Sequence, residues 1–153
     1  MERLVERIGK RLNPWWVTGL VDGEGSFTYQ TSTTGQVMVV FALKLTQADS
    51  AVVWRVQDFF AAGRIYTTKA RVPSKQGEGW TKTATYFRVI RKAELPRIVD
   101  HFEVYPLQSK KQEAFAIWKE MVALQCAQGS RADGLGRLSI QLSSAQVRNK
   151  PWA

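Results

Sequence analysis

Apolar residues along this chain change their spacing several times, and each change predicts a different element. Leu4, Ile8 and Leu12 recur at helical spacing in MERLVERIGKRLNP, which predicts a short basic helix. Asn13 followed by Pro14 predicts a helix start, because Asn caps free amides and Pro suits the first turn. The helix WWVTGLV then runs into Asp22-Gly23-Glu24-Gly25, where two glycines are expected to stop it. The period next falls to two. Phe27 and Tyr29 point one way, and Ser26, Thr28, Gln30 and Ser32 the other. After a turn near Thr34-Gly35, Val39, Phe41, Leu43 and Leu45 alternate with Met38, Val40, Ala42 and Lys44. The two runs predict a hairpin with one apolar face and one mostly polar or small face.

Helical spacing returns with Val52, Val53, Val56, Phe59 and Phe60, a buried stripe that Asp49 can cap and Gly63 can end. Two further strands are expected over residues 64–71 and 81–90, joined by the loop VPSKQGEG. Pro96 opens a short third helix carrying Leu95, Ile98, Val99 and Phe102. A long fourth helix over about 109–128 presents Phe115, Trp118, Met121, Val122 and Gln125. The stretch from Gly129, rich in Gly, Ser, Gln and Arg, is expected to wrap the surface. The order is helix, two strands, helix, two strands, helices, which predicts an α+β domain with one four-stranded sheet backed by helices. No linker divides residues 1–153, so they are expected to form a single domain, with a core over about 13–128 and a tail over about 129–153.

Charge narrows the choice of partner. Lys and Arg number 22 against 13 Asp and Glu, a net charge of +9, and such an excess attracts polyanions, nucleic acid first among them. Cys126 stands alone and excludes an internal disulfide or a zinc site built on cysteines; it points to a reducing compartment and reads as a small core residue. His101 is the only histidine, which excludes two-histidine metal sites, and beside Phe102 it reads as structural. No apolar run is long enough to cross a bilayer, and the opening segment lacks the features of a signal or transit peptide, so a soluble intracellular protein is expected.

The segment Val17-Thr18-Gly19-Leu20-Val21-Asp22-Gly23-Glu24-Gly25, followed by Ser26-Phe27, carries the chemistry. Gly19 and Gly23 stand one turn apart on a helix otherwise rich in large apolar groups. Each costs roughly 1 kcal/mol of helix stability relative to Ala, and close approach of another helix is the natural reason for two on one face. If that helix belongs to a second copy, two-fold symmetry sets two Glu24 carboxylates side by side, where cations must separate them. Such oxygen ligands suit Mg²⁺, and a metal-activated water can attack a phosphodiester. The residues alone fit equally well a helix cap and tight turn with Glu24 merely solvated.

This segment resembles the signature of the LAGLIDADG homing endonucleases, with Thr18 to Gly25 in its successive positions after the leading Val17. The element order is similar to that family's αββαββα core over roughly residues 13–128. The resemblance implies a four-stranded antiparallel, saddle-shaped sheet backed by helices. It also implies metal binding (Mg²⁺ or Mn²⁺) by Glu24 and by the backbone carbonyl of Gly23, with Asp22 stabilising a helix end or a neighbouring amide. Gln47 matches a polar residue that organises water at the scissile phosphate, and Lys110 a basic residue near that phosphate. One position departs: where some relatives carry a basic residue one turn after the glutamine, this chain has Ala51, with Arg55 a turn further on.

A polar sheet face fits the DNA major groove. By alternation that face should hold Thr28, Gln30, Ser32, Gln36, Met38, Lys44, Arg64, Tyr66, Thr68, Lys82, Tyr86 and Arg88, with Lys69, Arg71 and Lys75 nearer phosphates. A register error of one residue would exchange the faces. The signature occurs once; Asp133-Gly134-Leu135-Gly136 lacks the acid at its third place. A single copy implies a homodimer, packed through Gly19 and Gly23, on a long pseudo-palindromic site. Family resemblance adds a double-strand break with 3′ overhangs, and an organellar or bacterial intron as genetic home. Two other readings stay open. One is a cleavage-deficient protein of the same fold, an intron maturase binding RNA or a regulator; the other is an unrelated basic RNA-binding domain.

Overall fold

The Asn13 side chain begins the first helix as its sequence requires, its Oδ1 accepting the Trp15 and Trp16 amides at 2.9 and 3.4 Å. A computed structural model gives the protein's structure and describes residues 11–70, 82–127 and 132–148. The expected helix over the first ten residues, and the positions of Arg71 and Lys75, lie outside the described residues.

Helix α1 spans Pro14–Glu24, strand β1 Gly25–Thr31 and strand β2 Val37–Thr46. A 3₁₀ turn, Gln47–Asp49, leads into α2, Ser50–Phe60. Then follow β3 (Arg64–Thr68), β4 (Ala84–Val89), α3 (Leu95–Val104), α4 (Lys111–Cys126) and α5 (Ala132–Arg148). The sheet order is β1-β2-β4-β3, antiparallel throughout. This is the α+β architecture expected from the alternation of periods.

The five helices among the described residues contribute to one apolar core against a single sheet face. Phe27, Phe41 and Phe87 from the sheet meet Phe102 of α3 and Trp118 of α4 there. The Trp118 indole N–H also donates to the Thr28 and Val40 carbonyls at 3.1 and 2.9 Å, tying α4 to β1 and β2. Gln125, the polar member of the α4 stripe, is buried and accepts the Val39 amide at 2.9 Å. Its partner explains its place in an apolar row. No helix among the described residues is long and apolar enough to cross a membrane.

Several expectations need correction. Helix α1 does not stop at Gly23; it continues through Glu24 and ends at Gly25, where a Cβ would come within 2.5 Å of Val21 Cγ1. Asp49 stands at the N-cap position but makes no capping hydrogen bond to α2, because it closes the 3₁₀ turn with φ −103° and ψ 17° instead of the extended backbone of a cap. The strands are shorter than 64–71 and 81–90. Cys126 is exposed, its Sγ near the Lys92 carbonyl, because it falls off the buried face of α4. The largest difference is the tail. Residues 132–148 form a helix whose Leu135, Leu138, Leu142 and Ala145 are buried, so this stretch completes the core instead of wrapping it.

Candidate functional site

Glu24, the last residue of α1, is exposed, and its side chain makes no hydrogen bond or ion pair with another described residue. It stands between two cavities. One, of about 800 Å³, is shared with Ser26, Thr28, Lys110, Lys111 and Gln146. The other, of about 460 Å³, is shared with Lys44, Thr46, Asp49 and Lys82. A carboxylate held at a helix end, open on both sides and ringed by lysines, is placed to meet a cation or a polyanion that brings one.

The residues around Glu24 are fixed by contacts from the first residue of α4 and from the segment that leads into it. Asp22 Oδ2 accepts the Gln108 amide at 2.9 Å, and Oδ1 accepts the Ser109 amide and hydroxyl at 3.2 and 2.7 Å. These amides lie just before the Lys110 cap of α4, and a carboxylate placed there is favourable against the positive end of the helix dipole. This is the amide-stabilising role expected for Asp22, and it occupies the carboxylate. Lys111 reaches back in the opposite sense, its Nζ donating to the Val21 and Asp22 carbonyls at 2.8 and 3.0 Å. An ammonium there offsets the negative end of α1. Burial pushes the Lys111 ammonium below the ordinary lysine range, and the neighbouring Asp22 and Glu24 charges push it back up.

The expected catalytic residues are only partly brought together. Lys110 is exposed at the start of α4 and lines the larger cavity with Glu24 and Gly23. Gln47 stands apart. It lines neither of the Glu24 cavities described, and its Oε1 accepts the Thr85 hydroxyl at 3.3 Å. Asp49 lines the smaller cavity in its place. The motif glycines are open: a Cβ at Gly19 or Gly23 would meet nothing within 4 Å. Trp16, 47% exposed, lies one turn before Gly19, so one protomer leaves this stripe of α1 bare.

The strand register fixes the sheet faces. Thr28 pairs with Val40, Gln30 with Met38, Lys44 with Tyr86, Tyr86 with Tyr66, Arg88 with Arg64 and Ala84 with Thr68. These residues therefore share the face away from the helices, as alternation predicted, and Lys82 precedes β4 beside the Glu24 cavity. Ser32 and Gln36 sit at the hairpin end, where the Ser32 hydroxyl accepts the Gln36 amide at 3.0 Å. Val40 and Ala84 on the same face are buried, so that surface is not uniformly open.

Sequence reasoning missed Ser26, Thr46, Asp49 and Gln146 as neighbours of Glu24. Alternation places Ser26 on the polar face, and the sequence assigns Asp49 to a helix cap. Gln146 reaches the site through α5, its Nε2 donating to the Phe27 carbonyl on edge strand β1 at 2.8 Å.

Comparison with known proteins matches this arrangement to others. Over 121 residues, 74% of the chain, it is 30% identical to an uncharacterised 50.9 kDa protein in ND4 intron 1 of Podospora anserina. Over the same share it is 26% identical to a probable intron-encoded endonuclease 3 of Neurospora crassa. The chain spans 24% and 21% of those two relatives. Among solved structures, the homing endonuclease I-TnaI superposes with a TM-score of 0.68 at 22% identity, over 92% of this chain and 100% of that one. The LAGLIDADG meganuclease I-AabMI, solved bound to uncleaved DNA, gives 0.62 at 27% identity, over 74% of this chain and 37% of that one. The family model described as LAGLIDADG endonuclease matches residues 17–122, from the first residue of the α1 motif into the buried face of α4, and the chain belongs to that family.

Proposed function

We propose that two copies of this chain make a site-specific, metal-dependent double-strand break in DNA, leaving 3′ overhangs in a long, nearly palindromic site. The observation that carries this reading is the position of Glu24: a carboxylate unpaired among the described residues, at the end of a helix whose Gly19–Gly23 stripe is bare, beside a polar and basic sheet face. Closing that stripe against a second copy would bring two Glu24 side chains together at the centre of one duplex.

The donor set fits a shared hard cation better than a private one. Among the described residues there is no cluster of three or more His, Cys, Asp or Glu. Asp22 is engaged by amides, so one chain offers only the Glu24 carboxylate and the Gly23 carbonyl. A second Glu24 and DNA phosphate oxygens would complete a set suited to Mg²⁺ or Mn²⁺. When bound, such an ion supplies Lewis acidity and an acidified water. The chain's own residues then divide the work. Lys110 offers a cation to charge developing on the phosphate, Lys111 and Asp22 hold the end of α1 against α4, and the sheet face sets the duplex in register. The DNA complexes solved for I-AabMI and other neighbours support this choice of partner. An intron home accords with the names of the curated relatives.

A second reading, a binding protein of the same fold that no longer cuts and that takes DNA or intron RNA, is favoured by two observations. Gln47 turns its amide oxygen to Thr85, and Ala51 stands where a basic residue would help order water. Selection of cleaved sites from a randomised duplex pool with Mg²⁺ separates the readings. The wild type is expected to enrich one two-fold symmetric site of about twenty base pairs. Glu24→Gln is expected to bind that site without cutting it. Binding without cleavage by both proteins would favour the second reading.

A further inference from the structure

The smaller cavity beside Glu24, about 460 Å³, has a mixed lining: the carboxylates of Glu24 and Asp49, the ammoniums of Lys44 and Lys82, and the hydroxyl of Thr46. Phosphate repels a carboxylate, so a second one on the face meant for DNA needs a reason.

The local backbone brings Asp49 there. Strand β2 ends at Thr46, and the 3₁₀ turn Gln47–Asp49 follows at once. Gln47 is held against β4: its amide donates to the Thr83 carbonyl at 3.1 Å, and its Oε1 accepts the Thr85 hydroxyl at 3.3 Å. A 3₁₀ turn advances about 120° per residue, so Asp49, two residues on, leaves the backbone in a different direction from Gln47. An aspartate at a helix start ordinarily gives its oxygens to the amides that follow. Asp49 does not. It makes no side-chain capping hydrogen bond, it is exposed, and among the described residues the one ion pair joins Lys119 to Glu103.

The neighbouring charges suit a carboxylate at work beside phosphate. Lys44 pairs with Tyr86 across β2 and β4, and its Nζ lies 5.3 Å from the centre of that ring, which holds one ammonium over the sheet face. Lys82 stands just before β4. Two cations in one cavity offset the repulsion between phosphate and the two acids. Asp22 is engaged by amides, and Ala51, one turn after Gln47, carries no polar side-chain atom. Beside Glu24, Asp49 is therefore the one carboxylate among the residues lining this cavity.

We propose that Asp49 is a catalytic residue of the cleavage, its carboxylate holding the attacking water and accepting its proton where Gln47 is turned away; this rests on the DNA-cutting reading above. The water oxygen bonds to phosphorus and its proton passes to Asp49. One ester oxygen leaves phosphorus with the bonding electron pair and takes a proton from solvent, and Asp49 then releases its own proton to solvent. A positioned base of this kind is typically worth about 10²–10⁴-fold in rate.

The test uses the full chain and a duplex site selected from a randomised pool, with the wild type, Asp49→Asn, Asp49→Ser and Glu24→Gln. Asparagine and serine both serve at a helix start, so neither should disturb α2. Both Asp49 variants are expected to unfold at the wild-type urea concentration and to bind the site, without divalent metal, at least as tightly as wild type. In single turnover with Mg²⁺ they should cut it roughly a hundredfold or more slowly. Mn²⁺ binding to the protein–DNA complex, read by titration calorimetry, should be unchanged in the Asp49 variants and lost in Glu24→Gln. Wild-type cleavage rates in both Asp49 variants would overturn the inference and leave Asp49 a residue of the turn. Loss of Mn²⁺ binding as deep as in Glu24→Gln would overturn it too, by making Asp49 a metal ligand. A wild type that binds the site and never cuts removes the DNA-cutting reading and the inference with it, a different result from a wild type that cuts no faster than its Asp49 variants.

Discussion

Lys111 Nζ lies 2.8 Å from the Val21 carbonyl oxygen, so the first residue of α4 holds the last turn of α1. Asp22 returns the contact, its carboxylate receiving the amides of Gln108 and Ser109. Each helix thus presents to the other the charge its terminus lacks, and the pairing sets the direction in which α1 delivers Glu24.

The two adjacent lysines should therefore separate on substitution. Lys111→Met removes charge-assisted bonds to two carbonyls and is expected to destabilise the fold by about 1–3 kcal/mol. Lys110→Met alters an exposed side chain with no hydrogen bond to another described residue, and its stability should stay within about 0.5 kcal/mol of wild type. Its cleavage rate should nonetheless fall. Urea melts and single-turnover cleavage check both halves; equal midpoints for the two variants would refute the division.

His101 should make stability depend on pH. It is buried among Phe59, Phe60, Phe102 and Tyr105, and burial lowers its pKa from 6.5 to about 4. The Thr18 hydroxyl donates to the Tyr105 carbonyl at 2.9 Å, so at 3.1 Å it accepts from His101 Nε2–H, which fixes the neutral tautomer. Between pH 6.5 and 4 the unfolded chain binds a proton that the folded chain refuses. This contribution to stability is intact above pH 6.5, declines as the pH falls toward 4, and is lost below it. The span is about 3 kcal/mol at most. Melts of wild type and His101→Gln across pH 4–7 should converge at the acid end; parallel curves would place the acid sensitivity elsewhere.

What the sequence made legible follows from how local the signals are. The start of α1 could be read because Asn13 and Pro14 act on their immediate neighbours, and the sheet faces because alternation is a property of a single strand. Glu24 becomes a candidate through the spacing of Gly19 and Gly23. The roles of Lys110 and Lys111 were not legible, since neighbours on a helix point about 100° apart and only the packing of α4 decides which one meets α1. Helix α5 was hidden by Gly134 and Gly136. Gly134 has a tertiary reason: a Cβ there would come within 2.9 Å of Leu124 Cδ1, so the glycine permits close approach of α5 to α4.

Gly19 offers the sharpest test of pairing. Nothing lies within 4 Å of a Cβ at this position in one protomer, and a non-glycine residue favours the helix by about 1 kcal/mol. Gly19→Leu should therefore fold as well as wild type when dilute. If α1 packs on a second α1, the new side chain separates the backbones, and the association constant should drop at least about tenfold, which is about 1.4 kcal/mol. Sedimentation equilibrium reads this directly. A variant that associates as tightly as wild type would exclude the glycine stripe as the contact.

Helix α5 is the last element whose role can be measured. Leu142 is fully buried while Ile140, on the same helix, is 70% exposed. Leu142→Ala is expected to cost about 2–5 kcal/mol, as large-to-small changes in a packed core do. Ile140→Ala should stay within about 0.5 kcal/mol. Because Gln146 on this helix donates to Phe27 beside the Glu24 cavity, loosening α5 should also free the edge of β1. Amide exchange in β1 should then rise in Leu142→Ala and not in Ile140→Ala. Small and equal effects of the two substitutions would mean that α5 lies on the surface as a detachable strap, and that the site is built without it.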